Sequence, residues 1–120
     1  MTISYATFDI DDLLREFGDV DTVRELVTIV RTDLAAYADR LSAALAAGDY
    51  TALRETAHAI KGTVSNVSAR TCRELADCLD GGLKAGRTDV VGLVPGLLLE
   101  CQKLRADLGL WLESEQAPSH

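Results

Sequence analysis

Aromatic side chains make up only 5% of this 120-residue chain, and proline occurs only at positions 95 and 118. β-Sandwiches depend on aromatic and β-branched strands with turn residues at short intervals, so this scarcity argues against them. Alanine, leucine and valine dominate instead, as they do in helical bundles. No apolar run approaches the roughly 20 residues of a membrane-spanning helix. The opening Met1-Thr2-Ile3-Ser4-Tyr5 lacks the basic start and apolar stretch of a signal peptide, so the expected location is cytoplasmic. Basic residues are too scattered for nucleic acid. The net charge is −7, with 12 lysines and arginines spread among 19 carboxylates, whereas a phosphate backbone calls for a concentrated basic stripe. The three cysteines, Cys72, Cys78 and Cys101, have no metal-ligand or redox spacing. Cys72 and Cys101 fall on apolar helical positions and read as small buried hydrophobes.

The length allows a single domain, 1–120, with its core over about residues 8–112 and a polar, fraying tail over 113–120. Period and punctuation predict five helical segments. Asp9 caps a short first helix carrying Ile10, Leu13, Leu14 and Phe17, and Gly18 stops it. The second begins near Asp19 or Asp21 and runs to about Ala47. Its stripe is Val23, Val27, Val30, Leu34, Tyr37, Leu41 and Leu45, in alternating steps of three and four. Gly48-Asp49 breaks it. The third starts at Asp49 or Thr51 and turns Leu53, Ala57, Ile60, Val64 and Val67 inward, with a joint at Ser68. The fourth carries Cys72, Leu75, Ala76, Leu79 and Leu83 and ends around Gly86. The fifth, with Asp89 as a possible cap, presents Leu93, Leu97, Leu98, Cys101, Leu104, Leu108 and Trp111 up to about Leu112. Pro95 is tolerated only in a first turn, which moves its proper start to about Val94. Four long amphipathic segments with short connections give an all-α fold, an antiparallel up-down four-helix bundle with a short additional N-terminal helix.

Within the third segment stands Ala57-His58-Ala59-Ile60-Lys61-Gly62. At about 100° per residue, its apolar positions share an arc of roughly 80°, and His58 lies about 140° from the centre of that arc. Lys61 falls about 80° away, Ser65 about 120° and Gly62 about 180°, while Arg54 shares the flank of Lys61. His58 therefore faces solvent. Exposed histidines are common and usually idle, so the ring alone says little. Gly62 says more, because an interior helical glycine costs roughly 1 kcal/mol against alanine and usually has a packing or access reason.

Several chemistries are excluded around this ring. Gly81-Gly82 lacks the Lys-Ser/Thr of a phosphate-binding loop. Positions four residues either side of His58 hold Arg54 and Gly62, which supply no metal ligand. The other histidine is His120, in the terminal tail, so a triad has no second base. What remains is a solitary imidazole, with an unperturbed pKa near 6.5, able to attack an activated phosphoryl group. Lys61 and Arg54 could offset the phosphoryl charge.

At this point the chain resembles the histidine phosphotransfer (HPt) domains of two-component phosphorelays. His58-Ala59-Ile60-Lys61-Gly62 matches the family's His-x-aliphatic-Lys-Gly, followed by Thr63 at a small hydroxyl position, Asn66 and Ala69. Leu79-Asp80 and Lys84-Ala85-Gly86 resemble its Leu-Glu and basic-x-Gly, and Phe8-Asp9, Gly18-Asp19 and Glu25-Leu26-Val27 its helix entries. The likeness runs from about residue 8 to 112. Ser68 stands where the family commonly has glycine; it either shifts the turn or lends its hydroxyl as a cap. The paired glycines at 81 and 82 are unusual for the family.

The resemblance implies a phosphorelay carrier rather than a true enzyme. A receiver aspartate, or a histidine kinase or hybrid kinase, gives a phosphoryl group to His58, which passes it to the aspartate of a response-regulator receiver domain. The carrier needs no cofactor of its own, because Mg²⁺ comes with the receiver. Lys61 would balance charge, Gly62 would let the partner's backbone approach, and Ser65 or Asn66 would hydrogen-bond the ring or the phosphoryl oxygens. A monomer is expected. The alternative is a non-catalytic helical adaptor that binds a receiver through the same face.

Overall fold

The computed structural model describes residues 4–116, of which Gln116 is described by its backbone alone. Its helices are α1 (Ile10–Phe17), α2 (Val20–Ala47), α3 (Tyr50–Ser65), α4 (Arg70–Lys84) and α5 (Val94–Gln116), with a 3₁₀ segment at Thr88–Leu93 before α5. Aspartates set the first three starts. The side chains of Asp9, Asp19 and Asp49 accept the backbone N–H of Asp12, Asp21 and Ala52, filling donors that a first turn leaves unpaired. Asp19 rather than Asp21, and Asp49 rather than Thr51, is therefore the cap. Gly48 closes α2 in the left-handed region at φ 65°, a conformation costly for residues with a Cβ.

α3 packs along α4, α2 lies against α3 and α5, and α4 meets α5, which closes a four-helix bundle with α1 against α2. The body measures 54 × 22 × 20 Å. Val23, Val27, Val30, Leu34, Leu41, Leu53, Ala57, Ile60, Val64, Val67, Leu79, Leu97, Leu104 and Leu108 are all buried. Each large aliphatic among them contributes roughly 1.5–3 kcal/mol through burial. Cys72 and Cys101 meet inside with their sulfurs 3.7 Å apart, while Cys78 is exposed; all three are free. The contact with Cys101 and burial hold the Cys72 thiol well above its ordinary range. No helix among the described residues is long and apolar enough to cross a membrane.

Four expectations need correction. Leu45 is 37% exposed, and Ala44 takes its place in the core, because the last turn of a 3.6-residue helix brings the earlier position inward. Leu93 is only half-buried in the 3₁₀ segment, and Val94 enters the core instead. Asp89 does not cap α5; it sits five residues before that helix and pairs with Arg87 at 3.0 Å. The fifth helix also runs past Leu112 to Gln116, with Ser114 Oγ donating to the Trp111 carbonyl at 2.7 Å. Residues 117–120, with His120, lie outside the described residues.

Ser68 shows what its position requires. It is the only non-glycine residue of positive φ among those described, at 54°, in the region where a Cβ costs roughly 1–2 kcal/mol. Its hydroxyl does not cap α4, whose N-cap Ala69 has no side-chain bond. It donates to Asp12 Oδ2 at 2.6 Å and ties α1 to the α3–α4 connection. Ser68→Ala keeps the strain and loses the charge-assisted bond, so a loss of about 1–2 kcal/mol is expected in urea unfolding. Ser68→Gly exchanges one term for the other and should fall within about 1 kcal/mol of the parent.

Candidate functional site

α3 presents its site because its inner face is fully committed. Leu53, Ala57, Ile60 and Val64 are all at 0% exposure, which fixes the helix phase and turns His58 outward. The imidazole side chain keeps 71% of its surface exposed. It is nonetheless not free on every side, since Nδ1 lies 3.0 Å from Oδ2 of Asp80 on α4. α4 buries Cys72, Ala76 and Leu79, and Asp80 follows Ala76 by four residues, so it sits at the edge of the core and is only 7% exposed. A carboxylate facing a ring nitrogen accepts, so Nδ1 carries the proton in this contact, and in the neutral ring Nε2 keeps its lone pair. The second carboxylate oxygen, Oδ1, is buried and has no hydrogen-bond partner among the described residues.

One turn further along the same seam, Lys61 Nζ lies 2.8 Å from Asp77 Oδ1. The hydrogen bond and charge of Asp77 hold the Lys61 ammonium above its ordinary pKa, and Lys61 lowers that of Asp77. Gly62 is exposed, and a Cβ built on it would meet nothing within 4 Å. Its absent side chain thus answers to no packing demand among the described residues. Arg54 is half-buried and makes no ion pair among the described residues.

Ser65 and Asn66 do not reach the ring. Ser65 Oγ donates back to the Lys61 carbonyl at 2.7 Å, a common use of a hydroxyl inside a helix. Asn66 is the C-cap of α3, its backbone N–H bonded to the Thr63 carbonyl. Neither hydrogen-bonds His58 among the described residues. Asp80 and Asp77, in contrast, carry the two contacts at the site, and sequence reasoning gave neither of them a role there. A wheel of α4 like that drawn for α3 would have flagged Asp80, because a carboxylate one step from Leu79 and four from Ala76 sits beside the apolar stripe.

Two surface depressions border the site at Ser65 and Asp77 without taking in His58. One runs between 4–12 and the α3–α4 joint; the other lies between α4 and the 3₁₀ segment. His58 stands on open surface, which suits a macromolecular partner better than an enclosed small substrate. Among the described residues no cluster of His, Cys, Asp and Glu could hold a metal ion.

A sequence model of the Hpt domain family matches residues 25–114 of the chain. In three dimensions the chain is similar to histidine-containing phosphotransfer protein B from Pseudomonas aeruginosa, with a TM-score of 0.80 and 27% identity over 92% of this chain and 98% of that one. The HPT domain of a sensor hybrid histidine kinase from Shewanella shares the fold, with a TM-score of 0.82 and 18% identity over 92% and 97% of the two chains. No curated protein matches the chain.

Proposed function

The chain belongs to the Hpt domain family and is a histidine phosphotransfer carrier; we propose that His58 holds the phosphoryl group in transit. The observation that carries this assignment is an imidazole 71% exposed, its Nδ1 engaged by the buried Asp80. That contact leaves Nε2 as the nucleophile. In the forward step the Nε2 lone pair attacks phosphorus, a phosphorus–nitrogen bond forms, and the bond to the donor oxygen breaks. The proton on Nδ1 stays in place, so the ring becomes cationic and Asp80 lies beside that charge. Transfer onward reverses these events towards a receiver carboxylate. The receiver supplies the Mg²⁺ and the acceptor oxygen, so the carrier's contribution is mainly positioning.

Hpt domains work with kinases and receiver domains. A monomer in the cytoplasm, built as a single domain with its core over about 8–112, is the state proposed for this chain. Lys61 and Arg54 are assigned to offset the charge of the phosphoryl oxygens; Ser65 and Asn66 are assigned to the rim a receiver would cover. The test is direct: a phosphorylated receiver domain should label the chain with one phosphoryl group, labile to acid and stable to base, mapped to the peptide bearing His58. Complex formation without label would favour the adaptor.

Gly62 offers a second test. With open space around it, Gly62→Leu should not disturb the bundle, and by helix propensity it should stabilise α3 by up to about 1 kcal/mol. Transfer from a phosphorylated receiver should nonetheless slow roughly tenfold, since that side chain occupies the partner's approach. Single-turnover transfer and thermal melting, measured together, separate the two effects. Unimpaired transfer would remove the access role.

A further inference from the structure

We propose that Asp77 is a positioning residue of the transfer site, governing how much of the Lys61 charge reaches a phosphoryl group on His58. The inference rests on His58 being the phosphate carrier. His58–Asp80 and Lys61–Asp77 form consecutive rungs across the α3–α4 seam, at 3.0 and 2.8 Å. Lys61 follows His58 by one turn on α3, and Asp77 precedes Asp80 by one turn on α4. In the unphosphorylated chain the ammonium is therefore drawn to the α4 side and neutralised there. Asp80 adds to the pull, and Arg73 opposes it slightly. The second rung is open to solvent, with side-chain exposures of 37% for Lys61 and 58% for Asp77. Neither partner is locked by packing.

A phosphoryl group on Nε2 brings nearly two negative charges to within one helical turn of this pair. It attracts Lys61 and repels Asp77. An exposed ion pair is weak, and a lysine ammonium on its four-carbon stem can swing between acceptors. The phosphoryl group thus recruits Lys61 only in competition with Asp77. Asp77 keeps the phosphohistidine less stabilised than Lys61 alone would make it, which suits a carrier that must give its cargo away.

Asp77→Asn removes the competitor with little change of shape. Hydrolysis of a phosphohistidine passes through a loose, metaphosphate-like transition state; the electron pair of the breaking phosphorus–nitrogen bond leaves with the imidazole, so the phosphoryl oxygens carry less charge than in the ground state. A cation freed to hold those oxygens favours the ground state and slows the reaction. The probe is potassium phosphoramidate. Attack by Nε2 forms the new phosphorus–nitrogen bond, breaks the one in the donor and releases ammonia, and ³¹P NMR follows the phosphohistidine after the donor is removed.

The Asp77→Asn chain should hold its phosphate roughly two- to fivefold longer than the parent at low ionic strength. The difference should shrink in high salt and be largely lost when Lys61→Gln is added. An unchanged lifetime would overturn the proposal, as would the same lengthening with Lys61→Gln present. A shift in melting temperature with no change in lifetime would show a merely structural contact and overturn it too. Failure of the parent chain to form any phosphohistidine would sink the reading of His58, and this inference with it; the other results strike the inference alone.

Discussion

Replacing His58 with glutamine is expected to abolish phosphate acceptance while leaving the fold intact. The amide nitrogen of glutamine has its lone pair delocalised into the carbonyl and cannot attack phosphorus, so the loss should exceed about 1000-fold. Stability has little reason to move, because the side chain is largely exposed and exposed substitutions usually stay within about 0.5 kcal/mol. The glutamine NH₂ can also donate to Asp80 Oδ2 in place of Nδ1 and keep that acceptor paired. Intact-mass measurement after incubation with a phosphorylated receiver reads the first effect, and circular dichroism with urea unfolding reads the second. Label persisting on the variant would place the phosphate on another residue. Loss of both label and helicity would mean His58 serves the bundle.

The helices were largely legible because their signals are local. Asp9, Asp19 and Asp49 cap where side-chain chemistry places them, and the stripe from Val23 to Leu41 keeps a helical period over many turns. Periodicity fixed the outward direction of His58 for the same reason. It needed only the phase of α3, which four apolar positions define.

What stayed hidden depends on contacts between helices. Gly82 has no explanation on its own helix, yet a Cβ there would lie 2.5 Å from Val90 Cγ1. The 3₁₀ segment at Thr88–Leu93 folds back on α4 at that point, and only the absence of a side chain permits the approach. Gly81 beside it has open space, and nothing in the structure explains its lack of a side chain. Ser68 is similar in kind. Its positive φ and its bond to Asp12, 56 residues earlier, cannot be inferred from neighbours along the chain. Ser65 depends on context in another way: with no phosphoryl group present, its hydroxyl donates to the Lys61 carbonyl four residues back.

The same distinction makes Asp80 the most informative residue to change. Asp80→Ala should slow transfer roughly 10- to 100-fold while leaving stability equal or higher. The kinetic part follows from the tautomer. Without an acceptor at Nδ1 the proton distributes between both nitrogens, the ring turns more freely, and no carboxylate lies beside the cationic ring formed on phosphorylation. The stability part follows from burial. Asp80 is 7% exposed, and among the described residues one of its oxygens is unpartnered while the other meets only a solvent-facing ring. A buried polar group left unsatisfied costs about 1–3 kcal/mol, and alanine is the better helix former by up to about 0.7 kcal/mol. Removing the carboxylate therefore costs the fold nothing it depends on. Asp80→Asn should fall between the two, since its oxygen still accepts from Nδ1 but brings no charge. Single-turnover transfer should rank aspartate above asparagine above alanine, while urea midpoints stay level or rise in the variants. A variant that transfers normally and unfolds early would assign Asp80 to the bundle rather than to the ring. The expected opposite, slower chemistry on a fold at least as stable, is the trade seen where a buried carboxylate is kept for function.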